Sequence, residues 1–177
     1  MKISLFNKFL RVIWLIVYYS LFKFSPFFLH SYRSFILKIF GAKIDSNVKI
    51  FPSVKIYLPS NLVIKSGTCL GPGVNIYNQG PILLGRNITV SQFAHLCSST
   101  HKYNSNPPRL PLLISKIVIK DDCWICADAF IGPGVTLAVG SIIGARSVLF
   151  KNTVQRGIYV GNPAKLIKKR NINYKKL

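Results

Sequence analysis

The sequence predicts an all-β chain: a parallel β-helix of about five triangular coils, carrying a helical N-terminal extension and interrupted by one projecting loop. Three observations lead there. From residue 44 onward, aliphatic residues recur every six positions. Neither the 3.6-residue period of a helix nor the two-residue period of an ordinary strand fits that spacing. The aromatic, basic composition of residues 1–40 also stops where the repeat begins.

Residues 1–43 form the extension, rich in Trp14, Tyr18, Tyr19, Phe22, Phe24, Phe27, Phe28 and Phe35. Pro26 divides it into two expected helices, because proline removes an amide donor and clashes with the preceding turn. The first is apolar nearly all round between Trp14 and Phe22. Such a helix is either buried against the protein or a partner subunit, or it lies in a membrane interface. Basic Lys2, Lys8 and Arg11 precede the apolar run, but no small-residue cleavage site follows. Only eleven uncharged residues separate Arg11 from Lys23, whereas a spanning helix needs roughly 20.

Residues 44–154 form the column. Ile119, Ile125, Ile131, Leu137, Ile143 and Leu149 stand six apart, and four residues after each comes Cys123, Ala129, Val135, Ser141, Ser147 or Thr153. The same template fits Ile44, Ile50 and Ile56, then Ile64, Leu70 and Ile76, then Leu84, Val90 and Leu96. Six residues make one short strand and one corner; three such units close a triangular coil. Stacked coils then pair as parallel sheets about 4.8 Å apart, so five give a column on the order of 24 Å tall. The aliphatic fills the interior and the small residue the corner. Glycines in LGPGV (70–74) and IGPGV (131–135) suit turn positions with positive φ. Between His101 and Ile117 the pattern breaks at Pro107, Pro108 and Pro111, so residues 102–116 are expected to project as a loop. Residues 155–177 follow as a basic tail.

Charge narrows the partners. The chain carries 24 Lys and Arg against four acids, all aspartates, for a net charge of +20. A surface this basic attracts polyanions: anionic lipid, phosphorylated cofactors or nucleic acid. Aromatic side chains among basic ones can stack on single-stranded bases, but here they sit in apolar runs, which favours membrane over nucleic acid. The four cysteines are expected to stay free thiols in a reducing, cytoplasmic setting. Cys123 and Cys126 form a C-x-x-C, yet the repeat gives them unrelated places. Cys123 fills the small corner slot, and Cys126 follows Ile125 as Gly132 and Gly144 follow Ile131 and Ile143. With no second pair and no adjacent histidine, no metal site is expected.

His101 ends the third coil and opens the loop, which makes it the candidate catalytic residue. A neutral imidazole held by a rigid column can take a proton from a hydroxyl. His95, six residues earlier, is read as packing or surface, and His30 as structural.

The hexapeptide array, SSTHKYNS (98–105), KDDCWICADAFIGPGVTL (120–137) and IIGARSVLFKNTV with GNPAKLIKK resemble the hexapeptide-repeat O-acetyltransferases. LHSYRSFILKIFGAKI (29–44) and IYNQGPI (76–82) are similar to its colanic-acid and exopolysaccharide branch. The resemblance covers nearly the whole chain. It implies a left-handed β-helix, a homotrimer with active sites between neighbouring columns, acetyl-CoA as donor and a sugar or glycan acceptor, lipid-linked or free. It makes His101 the general base for direct transfer, without an acyl-enzyme. Asn75 and Asn78 match acceptor-side positions, with turn capping as the alternative. Trp124 matches a groove-lining tryptophan, Ala127 and Ala145 small residues beside the pantetheine arm, and Lys151, Lys165 and Lys168 basic positions near the CoA phosphates. Galactoside-acetylating relatives carry arginine where Lys165 and Lys168 stand, which puts bidentate phosphate contacts in doubt. Three further readings remain. The acceptor could be an antibiotic or small glycoside. A γ-type carbonic anhydrase would need three converging histidines, two of them five apart, whereas His95 and His101 are six apart and His30 lies outside the column. A non-enzymatic scaffold would bind anionic membrane or nucleic acid through its basic, aromatic N-terminus; in the enzyme, residues 1–40 would instead attach it peripherally to the inner face of the cytoplasmic membrane, near a lipid-linked sugar.

Overall fold

The computed structural model describes residues 5–104 and 110–171. Pro107, Pro108 and the end of the basic tail lie outside these residues.

The hexapeptide period becomes three parallel sheets wrapped into a prism. Face 1 stacks Lys43–Ile44, Leu62–Ile64, Ile82–Leu84, Ile117–Ile119 and Thr136–Leu137. Face 2 stacks Lys49–Ile50, Cys69–Leu70, Thr89–Val90, Trp124–Ile125, Ile142–Ile143 and Gly157–Val160. Face 3 stacks Lys55–Ile56, Asn75–Tyr77, His95–Cys97, Phe130–Ile131 and Val148–Leu149. Register holds each aliphatic above the last: Ile50, Leu70, Val90, Ile125 and Ile143 form one continuous row. These side chains are buried, each contributing about 1.5–3 kcal/mol. Strands of two or three residues have no stability alone; stacking supplies it.

Corners obey a rule that the sequence showed only in its glycines. At most corners that follow faces 1 and 2 the third residue after the aliphatic takes a left-handed conformation: Gly67, Gly73 and Gly140, but also Asn47, Asn87, Asp122 and Asp128, as does Gly134 after face 3. Asparagine and aspartate tolerate that region best after glycine. Asp122 and Asp128 hold that conformation, and Asp45 and Asp121 lie at corners beside it. Asp121 accepts from the Arg86 amide at 2.8 Å, Asp122 from the Asn87 side chain at 3.2 Å, and Asp45 and Asp128 face Lys65 and Arg146.

The column runs past residue 154. Tyr159 takes the inner position above Ile143 and is buried, which starts a sixth turn. The step from Ile143 to Tyr159 is two residues short of the 18-residue coil, so the period hid it. Lys165–Lys169 then adds antiparallel to Gly157–Val160 and closes the edge of face 2.

At the other end sit α1 (Leu5–Val17), continued by a π-helical turn (Tyr18–Phe22), and α2 (His30–Ile39). One stripe of the first helix, Trp14, Tyr18 and Phe22, is buried, and the Trp14 indole N–H donates to the Ile56 carbonyl at 2.8 Å. Burial is thus the answer for that stripe; its opposite side is exposed. Gly41 at φ 89° ends α2, with its own amide bonded to Lys38 and that of Ala42 to Leu37, a Schellman motif leading into the first coil.

Candidate active site

The projecting loop has a firmer root than a proline-rich segment implies. Ser99–His101 pairs antiparallel with Leu112–Ile114, and Ile114 packs so closely over Gly80 that a Cβ there would lie 2.4 Å from its methyl. This hairpin leaves the corner between faces 3 and 1 and carries His101 at its end. The His101 ring is exposed in the single chain, with Nδ1 2.9 Å from the Leu110 carbonyl. A carbonyl only accepts, so that contact puts the proton on Nδ1 and leaves the Nε2 lone pair outward. No sequence signal marks this partner, because Leu110 lies on the returning arm and acts through its backbone.

Trp124 stands on face 2, 46% exposed, its indole N–H donating to Ser91 Oγ at 2.9 Å. Ala127 and Ala145 follow on the corner between faces 2 and 3, one above the other, joined by the Arg146 amide donating to the Ala127 carbonyl at 2.9 Å. Ser91 belongs to the same corner one coil below. Its register, directly after Val90 as Cys126 follows Ile125, was the signal that could have found it. Phe93, also missed, holds φ 60° at that level and lays its ring over Gly73. Lys165 and Lys168 lie on the fully exposed outer strand beside face 2. Lys151, also exposed, stands just past face 3, towards the corner that carries the hairpin.

The expected site residues therefore divide between two corners of one prism: His101 and Lys151 at one, Trp124, Ala127, Ala145, Lys165 and Lys168 at or near another. One column does not bring them together.

The two asparagines separate as well. Asn75 lies on face 3 beside His95, its Nδ2 3.4 Å from His95 Nε2. His95 is half-buried between Tyr77 and Phe130, and desolvation lowers its pKa, which keeps the ring neutral. Asn78 is fully buried. Its side-chain oxygen accepts from the Leu58 amide at 3.0 Å and its nitrogen donates to the Leu58 carbonyl at 2.7 Å. Both ends of that amide are used inside the chain, so Asn78 closes a corner and offers no surface to an acceptor.

Cys123 fills its corner slot, buried, with its thiol pushed up to about 11 mainly by desolvation. A thiol so held is not a nucleophile at neutral pH. Cys126 is half-buried and also raised by burial.

No family model matches the chain. It is 39% identical over 158 residues, 89% of this chain and 86% of the other, to a protein of Escherichia coli described as a colanic acid biosynthesis acetyltransferase, WcaF. Its fold is that of a maltose O-acetyltransferase from Clostridium difficile, with a TM-score of 0.84 at 20% identity over 96% of this chain and 90% of that one. A hexapeptide-repeat acetyltransferase from Vibrio cholerae, solved with acetyl-CoA, superposes with a TM-score of 0.82 at 20% identity over 94% and 90%. The chain belongs to the hexapeptide-repeat acetyltransferases, built on a left-handed parallel β-helix. Within them its relatives include the colanic acid biosynthesis acetyltransferases.

Proposed function

We propose that the protein transfers an acetyl group from acetyl-CoA to a hydroxyl of a sugar acceptor during surface polysaccharide biosynthesis. The observation that carries this reading is the anchored His101: a backbone carbonyl fixes its tautomer and turns Nε2 outward. In the reaction, His101 Nε2 takes the hydroxyl proton as the acceptor oxygen attacks the thioester carbon. The tetrahedral oxyanion collapses, the C–S bond breaks, and the imidazolium returns the proton to the departing sulfur. The products are an O-acetyl ester and CoA, with no acyl-enzyme. A positioned base of this kind is worth roughly 10²- to 10⁴-fold in rate. Because His101 is exposed and its ring is bonded to a loop carbonyl, His101→Ala should lose about that much turnover while unfolding at the parent temperature. Full activity in that variant removes His101 from the mechanism.

Division of the site residues between two corners supports a homotrimer in which one subunit's His101 faces the next subunit's Trp124, Ala127 and Ala145. Asn75 stays a candidate on the acceptor side. The exposed Lys165 and Lys168, with Lys151, would pair with CoA phosphates as point charges. Co-refolding His101→Ala with Ala145→Trp, each inactive alone, tests the arrangement. A closed ring of shared sites regains about a quarter of them by chance pairing; mixtures that stay inactive rule out sharing between subunits. Acetyl-CoA is a cytoplasmic donor, so the reaction belongs on the inner face of the cytoplasmic membrane, where polysaccharide precursors are assembled on lipid.

A further inference from the structure

The turn between the two helices, KFSPFFL (23–29), runs against the usual economy of a folded chain. It buries none of its three phenylalanines: Phe24 is 74% exposed, Phe27 68% and Phe28 64%. Yet it is tightly built. The Lys23 amide donates to the Tyr18 carbonyl, Ser25 to Phe22, Leu29 to Pro26 and His30 to Phe28. Behind it lies Arg33, fully buried, whose guanidinium donates to the carbonyls of Pro26 and Phe27 and to Ser25 Oγ. Its Nε donates to the Ile50 carbonyl at 2.6 Å, which ties the turn to the first coil. A buried cation thus holds three aromatic rings out into solvent. On the outer side of α2, one helical turn apart, Phe35 and Ile39 are exposed too.

Charge decides what can cover such a surface. Residues 1–44 contain seven Lys and Arg and no carboxylate; the first acid is Asp45. A second copy would bring the same uncompensated cations against them. An anionic bilayer supplies the opposite sign, and each Lys or Arg near its surface gains about 1 kcal/mol. Among the described residues no helix is long and apolar enough to cross a membrane, so contact is with the surface.

We propose that the base of the column docks on an anionic lipid bilayer, with Phe24, Phe27 and Phe28 as a rigid wedge entering the headgroup–acyl boundary and the exposed Lys23 and Lys38 meeting the lipid phosphates. Rigidity matters because a turn already ordered loses no further conformational entropy on insertion. The wedge lies at the first coil and His101 at the third, so the base sits on the order of 10 Å from the membrane. A sugar close to its lipid carrier reaches that height. This last consequence rests on the acetyl-transfer reading; the docking itself does not.

The test is flotation of the full-length protein with vesicles of phosphatidylcholine and phosphatidylglycerol in equal parts, against phosphatidylcholine alone. The parent should float with the anionic vesicles and stay behind with the neutral ones. Moving one ring into the boundary is worth on the order of tenfold in binding. Phe24→Ser/Phe27→Ser/Phe28→Ser should therefore lose roughly a hundredfold or more, and Phe150→Ser, at the far end of the column, should lose nothing. The triple variant replaces exposed rings, so its unfolding temperature and its turnover of a water-soluble acceptor should match the parent. Equal flotation of parent and triple variant overturns the wedge. So does a parent that ignores anionic vesicles, or a triple variant that changes oligomeric mass, which would make the surface a contact between copies. Loss of turnover in His101→Ala with unchanged flotation shows that the two readings stand or fall separately.

Discussion

Asn78 offers the sharpest test of how a residue from a family motif acts in this chain. Its amide makes two hydrogen bonds, to the amide and carbonyl of Leu58, in a place with no solvent. Asn78→Ala removes both bonds; the Leu58 carbonyl keeps the Asn61 amide at 3.0 Å, but the Leu58 amide is left without an acceptor. A buried orphan costs about 1–3 kcal/mol, so the variant should lose about that much stability. At about 2–4 °C per kcal/mol for a domain of this size, the unfolding midpoint should fall by roughly 2–12 °C. Asn78→Asp sharpens the argument. One carboxylate oxygen can still accept from the Leu58 amide, but the other lies against the Leu58 carbonyl, which cannot donate. Burial and that contact favour the protonated acid in the folded state. The folded protein then binds more protons than the unfolded one, so this variant's stability falls as pH rises through the carboxylate range and returns on acidification. Thermal unfolding, read alongside acetyl transfer per folded molecule, separates the roles. A parent-like midpoint with a raised acceptor KM in Asn78→Ala would refute the corner role and restore Asn78 to the acceptor.

Two other predictions follow from buried polar groups. Arg33→Met keeps volume but removes donors from Ile50, Pro26 and Phe27. Pro26 keeps the Leu29 amide and Ile50 the His30 ring, so the loss falls on Phe27 and should cost about 1–3 kcal/mol in urea unfolding; a parent-like midpoint would show that the guanidinium does not hold the base. His95 has its pKa lowered from 6.5 by burial. Its folded state therefore binds fewer protons, and its contribution is full above 6.5 and lost as pH falls. His95→Phe, which keeps the stacking against Phe130, should narrow the stability gap between neutral and acidic pH, and an unchanged gap would place the titration elsewhere.

Much of the fold was legible because a solenoid repeats one local rule. The six-residue spacing of Ile119, Ile125, Ile131, Leu137 and Ile143 named the interior residues, and the structure buries all of them. The slot reading of Cys123 followed from the same register. The sixth turn was not legible, because a shortened step removed the period at the point where Tyr159 enters.

The sequence by itself determined the repeat, the column it builds, the place where the column is interrupted and the histidine standing there. Those features depend on side-chain size and spacing within about twenty residues, which the chain displays directly. Only the tertiary structure decided which groups meet. Leu110 fixes the His101 tautomer through a backbone carbonyl, and carbonyls have no letter in a sequence. Asn78 turns inward because its corner lies under the next coil, while Trp124 and His101, only 23 residues apart, stand at different corners of the prism. Arg33, one basic residue among 24, is buried because the turn it holds closes over it. Direction in space, which arises only when coils stack and helices cap them, separates these residues from others of the same type.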